Sequence, residues 1–257
     1  MRVISFCADG IEQAAKRGFY EWAGNQDADV ICVQDLRAQE YDLRDDLFFP
    51  PAYNAYFFDN PDRQNGVAIY CRDLPKAIMT GLGFNEFDME ARYIQADYDR
   101  ISFGSLIAPT ADAHDNKRRP RKAEFFEQLY AHLAKIRNKR REFVICGNLH
   151  IAHQKRDVQD LASWKDKPGF SEDERQWMDQ MLMDLGYVDA FRSAISDEDE
   201  YTWWPSSEIG KNGLRVDYQI VSAGLRRQIE YGFIFKNQLF SSHAPLTVDY
   251  DYEINPE

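Results

Sequence analysis

At 257 residues, with 44% hydrophobic and 14% aromatic content, the chain is long enough to bury one sizeable core. No apolar run reaches the roughly 18 residues that a membrane-spanning helix needs, and Asp9 interrupts the N-terminus before a signal-peptide apolar region can form. The net charge of −12 argues against a protein dedicated to nucleic acid alone, since such proteins usually carry a basic balance or a strongly basic face.

Buried strands and amphipathic helices are predicted along the whole chain. In the first part they are a strand at Val3–Cys7, a helix at Ile11–Asn25, a strand at Asp29–Gln34, a hairpin strand at Val67–Tyr70 after Asn65-Gly66, a strand pair at Arg92–Tyr98 and Arg100–Ile107, a helix at Lys122–Asn138 and a strand at Phe143–Cys146. In the second part they are a helix from Ser171 to Gly186, with Glu174 at capping-box spacing, and strands at Tyr201–Trp204, Arg215–Val221 and Thr247–Tyr250. Because no Pro/Gly/Ser-rich linker divides them, these elements predict a single layered α/β domain over residues 1–257.

The four cysteines each lie in or at the end of an apolar run, and none forms a CxxC pair. They are Cys7, Cys32, Cys71 and Cys146. Buried free thiols on strands fit a reducing compartment better than a disulfide or zinc framework. We therefore expect a cytoplasmic protein.

The basic residues are unevenly distributed. Residues 117–141 hold ten basic and two acidic side chains, a charge of +8, whereas the remainder holds 21 basic and 41 acidic ones, a charge of −20. Since lysine and arginine dominate affinity for phosphates, this segment predicts a contact with RNA or with a ribonucleoprotein, although a solvated helix face would also carry such charges. The stronger cluster is Lys135, Arg137, Lys139, Arg140 and Arg141, and the weaker one is Lys117, Arg118, Arg119, Arg121 and Lys122.

A motif with chemical meaning follows the strand that ends at Cys146, where the chain reads CGNLHIAHQKRD. Enzymes that cut phosphodiesters with magnesium place a carboxylate and an amide here, in the pattern GDxN. This chain has Asn148 and His150 at those positions. An amide cannot accept the proton of an attacking water, and losing a general base typically costs roughly 10²–10⁴-fold in rate. The motif therefore predicts a loss of catalysis.

Four further segments share this frame. They are VISFCADG, DVICVQDLR, GLRVDY and SSHAP, and with CGNLHIAH they span residue 1 to about residue 250. In this order the five segments resemble the exonuclease III and abasic endonuclease superfamily, whose forms of three of them read NxNG, DIICLQET and SDHAP. The resemblance implies a four-layer α/β sandwich, in which two mixed, mainly antiparallel sheets are flanked by helices.

The resemblance assigns seven positions to a former active site: Cys7, Asp35, Asn148, His150, Asp217, Ser242 and His243. Asp35 is one methylene shorter than the glutamate of the pattern, Cys7 offers sulfur in place of an amide oxygen, and Ser242 removes the carboxylate expected to support His243. Asp217 and His243 are retained. We therefore expect no catalytic residue, no resident metal and no cofactor.

Three alternatives stay open. Asp35, Asp217 and His243 would support a divergent metal-dependent abasic endonuclease or 3′ exonuclease with weak residual activity. Asp35, His150 and His243 could instead converge on zinc or manganese, since imidazole suits those ions. The acidic body would also permit a scaffold that binds proteins alone.

A closer resemblance is to one branch of the superfamily. GNLHIAHQK, YTWWPSSE, RVDYQIVSAGLRR and SSHAPLTVDYD resemble the catabolite repression control branch. This implies a non-catalytic, cytoplasmic post-transcriptional regulator that stabilises a translation-repressing complex of the hexameric RNA chaperone Hfq with A-rich mRNA. It also implies weak RNA binding without Hfq, no membrane contact and possible self-association. Arg226 and Arg227 extend the expected contact surface, while Trp203 and Trp204 are expected in the core.

Overall fold

The computed structural model describes residues 1–111 and 117–255. Within them, two six-stranded sheets stack face to face over a shared apolar core. The strands are β1 (Arg2–Cys7), β2 (Val30–Gln34), β3 (Asn54–Phe58), β4 (Val67–Cys71), β5 (Ala77–Thr80), β6 (Tyr93–Asp97), β7 (Ile101–Ile107), β8 (Glu142–Asn148), β9 (Val188–Asp189), β10 (Asp217–Val221), β11 (Ile229–Ile234) and β12 (Leu246–Tyr250).

Strand order and register bring several candidate residues to one edge of the stack. The first sheet has the order β11-β12-β1-β2-β4-β3, and its β1 and β2 run parallel with Cys7 opposite Gln34. These two strands therefore end together, immediately before Asp9 and Asp35. The second sheet has the order β5-β6-β7-β8-β10-β9, and its antiparallel β8 and β10 place Asn148 opposite Asp217.

Helices connect and flank the strands of both sheets. They are α1 (Ile11–Lys16), α2 (Phe19–Gly24), α3 (Asn85–Asp88), α4 (Arg118–Ile136), α5 (Leu161–Trp164), α6 (Glu172–Asp179) and α7 (Ala190–Ala194). α1 and α2 pack on the first sheet, where Phe6 stacks on Phe19. α4 and α6 pack on the second, where Phe126 stacks on Trp177. The predicted four-layer sandwich of two mixed, mainly antiparallel sheets is thus confirmed.

Polar side chains cross the core and join the sheets. Gln34 on β2 donates a hydrogen bond to Ser105 Oγ on β7 at 3.0 Å. Gln219 on β10 donates to the Val3 carbonyl on β1 at 2.9 Å and accepts from the Tyr250 hydroxyl on β12 at 2.8 Å. Because all of these side chains are buried, a sliding of one sheet over the other would leave several polar groups unpaired.

Most predicted elements are present, and two predictions in this part of the comparison were wrong. The helix expected from Ile11 to Asn25 is two helices, because the chain turns at Gly18 with φ +90°. The hairpin predicted before Val67–Tyr70 is confirmed, because β4 follows Asn65-Gly66 and pairs antiparallel with β3 through the connection 59–66. No regular strand forms at 201–204, where Trp203 makes only isolated bridges. No described helix has the length and apolar character to cross a membrane.

The helix predicted to begin at Ser171 has the expected capping box but a different ending. Glu174 and Ser171 cap each other reciprocally at the start of α6, as the spacing predicts. α6 then continues into a π-helical turn at Gln180–Asp184, and Gly186 follows with φ +77°. The prediction that a single domain covers residues 1–257 stays a prediction.

A buried ionic network fixes the loop after β8 to β10. Asp157 Oδ1 accepts from Arg215 Nε at 2.8 Å and from Arg192 Nη2 at 2.7 Å, and Arg215 Nη2 also bonds Asp189 at 2.7 Å. Burial alone would raise the pKa of Asp157, but the two guanidinium groups outweigh it and hold that pKa below its ordinary value. The network therefore stabilises the fold only while Asp157 is ionised.

Substitution of Asp157 by asparagine should lower the free energy of unfolding by about 3 kcal/mol, because it removes the charge that compensates a fully buried Arg215. Urea denaturation measures this loss. Asp160→Asn is the matched control, because Asp160 caps α5 from the surface and asparagine caps equally well, so the change should stay within about 0.5 kcal/mol.

Asp157→Asn should also make the free energy of unfolding less sensitive to acid. The folded-state pKa of Asp157 lies below its ordinary value of 3.8, so its stabilisation is fully present above pH 3.8 and declines as the pH falls further. Between pH 5 and pH 3 the unaltered protein should therefore lose more stability than Asp157→Asn does. Parallel curves for the two proteins would contradict the assigned role.

Candidate active site

A cleft with a volume of about 510 Å³ opens at the edge where β1, β2 and β8 end. Four of the five candidate segments contribute the cleft residues Cys7, Asp9, Asp35, Arg37, Asn148, His150, Ser242 and His243, and the fifth contributes Leu214 and Val216. Trp164, Trp203 and Leu214 are among the residues of its other wall. The structure thus places all the predicted site positions at or beside one concave surface, with Asp217 behind His243.

A carboxylate–imidazole pair forms the floor of the cleft. His243 Nδ1 lies 2.8 Å from Asp217 Oδ2, and both side chains are buried. Burial alone would lower the pKa of His243, but the adjacent Asp217 carboxylate outweighs it and raises that pKa well above 6.5. The Asp217 carboxylate therefore favours the imidazolium form of His243.

The expectation that Ser242 deprives His243 of its carboxylate partner was wrong. The partner is Asp217, which the antiparallel pairing of β8 and β10 carries to the edge of the second sheet. Ser242 instead donates a hydrogen bond to Asp9 Oδ2 at 3.0 Å. The serine hydroxyl thus takes part in a different interaction, on the acidic side of the cleft.

Asn148 is fully buried, and both ends of its amide are engaged. Its Nδ2 lies 3.5 Å from Cys7 Sγ, and its Oδ1 accepts from the His150 amide at 2.9 Å. His150 lines the cleft with φ +53°, a conformation that non-glycine residues rarely adopt. Burial and the nearby Lys122 lower the pKa of His150 well below 6.5, so its ring is neutral. Neither the Asn148 amide nor the neutral His150 ring is a strong base.

The acidic wall of the cleft was only partly anticipated. Arg37 Nη2 donates to Asp9 Oδ1 at 2.6 Å and to Asp35 Oδ2 at 2.7 Å, so one guanidinium joins both carboxylates. Burial raises the pKa of Asp35, while Arg37 opposes that rise. Asp9, Asp35 and Arg37 all have φ between +49° and +56°. Strained non-glycine residues of this kind cluster at functional sites.

Asp9 and Arg37 were absent from the predicted site, although a signal for them existed. Both are charged residues that follow directly on buried apolar strands, and the parallel pairing of β1 with β2 brings such positions together. Sequence alone gives neither the pairing nor the direction of the side chains. The loop at Asn65-Gly66 completes the arrangement, since its carbonyls accept from the Arg37 and Leu36 amides.

The tryptophan pair divides between core and cleft. Trp204 is fully buried, as expected. Trp203 instead lines the cleft, with its ring centroid 6.2 Å from that of His243. The prediction of a core role is therefore confirmed for Trp204 and wrong for Trp203.

The basic cluster at the start of α4 is largely engaged within the protein. Lys122 is 1% exposed and pairs with Glu174 at 2.6 Å, so its assignment to a contact surface was wrong. Arg119 pairs with Asp173 at 2.5 Å, and Arg121 pairs with Glu90. Lys117 and Arg118 lie in the same turn.

The second basic cluster joins Arg226 and Arg227 on one surface. Gly224, two residues before Arg226, packs directly against the Glu142 carboxylate, next to the end of the cluster. Arg137, at the end of α4, and Ala223 both line one cavity of about 290 Å³. The exposed members of this basic surface are Lys135, Arg137, Lys139, Arg140, Arg226 and Arg227. Arg141 is partly withdrawn from it by a 2.8 Å ion pair with Asp97.

Comparison with known proteins identifies the class. The profile of the Endonuclease/Exonuclease/phosphatase family matches residues 10–242, and the chain belongs to that family. It is 27% identical to an exodeoxyribonuclease of Bacillus subtilis (strain 168), over 96% of this chain and 98% of that protein. It is 28% identical to the DNA repair nuclease APEX1 of Danio rerio, over 96% of this chain and 81% of that protein. The structure of an AP endonuclease from Archaeoglobus fulgidus superposes with a TM-score of 0.89 at 23% identity, and the match covers 98% of this chain and 100% of that one.

These comparisons overturn the expectation of a non-catalytic regulator. Curated relatives that match nearly the whole chain include proteins named as an exodeoxyribonuclease and a DNA repair nuclease, and a solved structure that shares the fold is named as an AP endonuclease. The expectations that the chain is not an enzyme and acts only as a regulator were therefore wrong. The replacements at Asn148 and Ser242 do not remove the chain from the Endonuclease/Exonuclease/phosphatase family.

Replacing Asp217 by asparagine should lower the pKa of His243 toward or below 6.5, because burial then acts on the imidazolium without a compensating carboxylate. NMR titration of nitrogen-labelled histidines measures the shift, with the His243 signal assigned from a His243→Gln spectrum. The ring of His132, whose pKa is lowered mainly by burial, serves as the internal control. An unchanged titration of His243 would contradict the pairing.

Proposed function

We propose that the chain is a divergent metal-dependent nuclease of the abasic endonuclease or 3′ exonuclease class, with weak activity. The observation that carries this proposal is the buried Asp217–His243 pair at the floor of a cleft lined by two further carboxylates. Its membership of the Endonuclease/Exonuclease/phosphatase family supports phosphate esters as the substrate class. A cytoplasmic location, suggested by four buried free thiols, is part of the same proposal.

His243 is the residue that contacts the phosphate in this proposal. The Asp217 carboxylate favours the protonated form of this ring by raising its pKa, and in that form the ring can donate a charged hydrogen bond to an oxygen on which negative charge develops. Asp217 holds the ring through Nδ1, and His243 borders the cleft that would receive the substrate. The cleft shields this interaction from water and so strengthens it.

Asp9 and Asp35 are suited to a hard divalent cation. Magnesium takes oxygen ligands and is often held by one or two carboxylates, which these residues offer on one wall of the cleft. Such an ion would polarise a phosphoryl oxygen. The Arg37 guanidinium bonds the same two carboxylates, so it competes with a cation for them and would have to move aside when the cation binds.

Weak activity is expected because Asn148 occupies the position of the general base. Asn148 cannot accept a proton, and its amide is already bonded at both ends. The neutral ring of His150 lines the cleft but is a poor base, because its pKa lies well below 6.5. Loss of a general base typically costs roughly 10²–10⁴-fold, and that is the deficit we assign to this chain.

Substitution of Asn148 by aspartate should raise the cleavage of an abasic-site duplex in magnesium by about 10²-fold, because it restores a proton acceptor. Product formation is measured with single-turnover gels on the abasic duplex and on a duplex with a recessed 3′ end. Asn25→Asp makes the same chemical change at an exposed position on the first sheet's helices and should leave the rate unchanged.

Two further variants make this test decisive. His243→Ala and Asp217→Ala should each remove the slow cleavage of the unaltered protein and of Asn148→Asp. Cleavage that persists in both would come from a contaminating nuclease. Absence of any cleavage in the unaltered protein and in Asn148→Asp, at enzyme in excess over substrate, would refute the proposed function.

We also propose that the basic surface contacts RNA held by a partner, as the resemblance to the catabolite repression control branch implies. Lys139 and Arg140 support this because they are exposed, and no ion pair engages them among the described residues. The partner in this proposal is the Hfq hexamer with A-rich mRNA. The acidic body repels phosphates, so binding without the partner is expected to be weak. Self-association of the chain remains open within this proposal.

Replacing Lys139 and Arg140 together by glutamate should weaken a ternary complex with Hfq and A-rich RNA at least tenfold at physiological salt, because two phosphate contacts become repulsive. A light-scattering or gel-shift titration measures the affinity. Lys16→Glu with Arg17→Glu carries the same change in charge on α1, on the opposite outer layer, and should leave it unaltered. Equal affinities for both double variants would contradict the assigned surface.

A further inference from the structure

The floor of the cleft holds three side chains of metal-ligating type in one cluster. A sulfur of Cys7, a carboxylate oxygen of Asp217 and a ring nitrogen of His243 lie within 4.8 Å of one another. All three residues are buried, and Cys7 and His243 border the cleft. The group differs from the predicted combination of Asp35, His150 and His243, since it draws its other two ligands from β1 and β10.

One atom of this cluster lacks a partner. Asp217 Oδ2 bonds His243, whereas Asp217 Oδ1 is buried without a hydrogen bond among the described residues. Buried polar atoms in folded proteins are nearly always satisfied, and an unpaired carboxylate oxygen is among the most costly to leave. A cation bound between Cys7 Sγ and Asp217 Oδ1 would satisfy this oxygen, because the sulfur and the carboxylate oxygen would both serve as its ligands.

The chemistry of the three ligands selects the kind of cation. Thiolate and imidazole are preferred by zinc, whereas magnesium requires hard oxygen ligands in a nearly octahedral shell. We propose that Cys7, Asp217 and His243 form a zinc site, with a fourth ligand position open to the cleft. This site is separate from the carboxylate pair Asp9 and Asp35, but it uses the Asp217–His243 pair of the proposed nuclease function. Zinc binds only the neutral ring of His243, so the zinc-bound chain is a different state from the one in which His243 donates to a phosphate, and zinc binding does not depend on the nuclease function.

Neighbouring groups already hold these ligands in place. Asn148 Nδ2 approaches Cys7 Sγ at 3.5 Å, and Ser241 Oγ donates to the Cys7 carbonyl at 2.7 Å. The backbone amide of Asp217 donates to Thr202 Oγ1 at 3.1 Å. Outer contacts of this kind orient metal ligands and typically change affinity by roughly 10–100-fold when lost. Asn148 thereby gains a role as a donor to sulfur that an aspartate could not fill.

Zinc titration of the full chain against a chromophoric chelator tests the site, with native mass spectrometry to count bound ions. One zinc per chain is expected, and a large excess of magnesium should not displace it. Cys7→Ser keeps the size of the side chain and should lower the zinc affinity by about 100-fold or more, since a direct ligand is lost. Cys32→Ser is the matched control, because Cys32 is equally buried but lies in the core between the sheets.

Two further measurements keep the outcome clear if Cys7→Ser folds poorly. Asp217→Asn keeps a partner for His243 but removes the charge, and it should also weaken zinc at least tenfold. Cobalt bound to the unaltered protein should give a thiolate charge-transfer absorption that is absent from Cys7→Ser. Failure to bind one zinc per chain, or zinc binding that is insensitive to both substitutions, would overturn the inference, whatever the outcome of the cleavage assay.

Discussion

The fold depends on how the two sheets are stacked, and a few buried hydrogen bonds set that stacking. Apolar contacts between sheets are tolerant of small shifts, whereas polar groups in a core are satisfied in one arrangement only. Gln34 with Ser105, and Gln219 with Val3 and Tyr250, join strands of opposite sheets in this way. The cleft forms where both sheets end, so its geometry depends on the same bonds.

Two buried carboxylates near this edge show how the structure assigns opposite tasks to like groups. Asp157 faces two guanidinium groups and cannot give up its charge, so it stabilises the loop after β8. Asp217 faces an imidazole that can exchange a proton, and one of its oxygens has no hydrogen-bond partner within residues 1–111 and 117–255. The first arrangement neutralises its carboxylate with two cations and is structural, whereas the second leaves a carboxylate oxygen that a ligand could use.

Local patterns predicted the elements better than they predicted the site. Apolar runs identified β1, β2 and β8, and the spacing of Ser171 and Glu174 identified a helix start, because each signal is contained in a few neighbouring residues. The Asp217–His243 pair joins β10 to the loop before β12, and the Arg37 clamp joins two strand ends. Such contacts arise from strand order and side-chain direction, which no short segment encodes. A serine at position 242 therefore suggested an unsupported histidine that the fold does not contain.

The chain can keep the family fold while it departs from the catalytic pattern, because the fold and the chemistry use different properties of the side chain at position 148. For folding, the side-chain oxygen must accept the His150 amide and so hold a turn with φ +53°. Either an asparagine or an aspartate oxygen can do this, so the exchange changes little in the backbone. For proton transfer only the carboxylate serves, whereas only the amide can donate toward Cys7 Sγ. Asparagine at position 148 thus preserves the turn at His150, and it places an amide donor instead of a proton acceptor at the floor of the cleft.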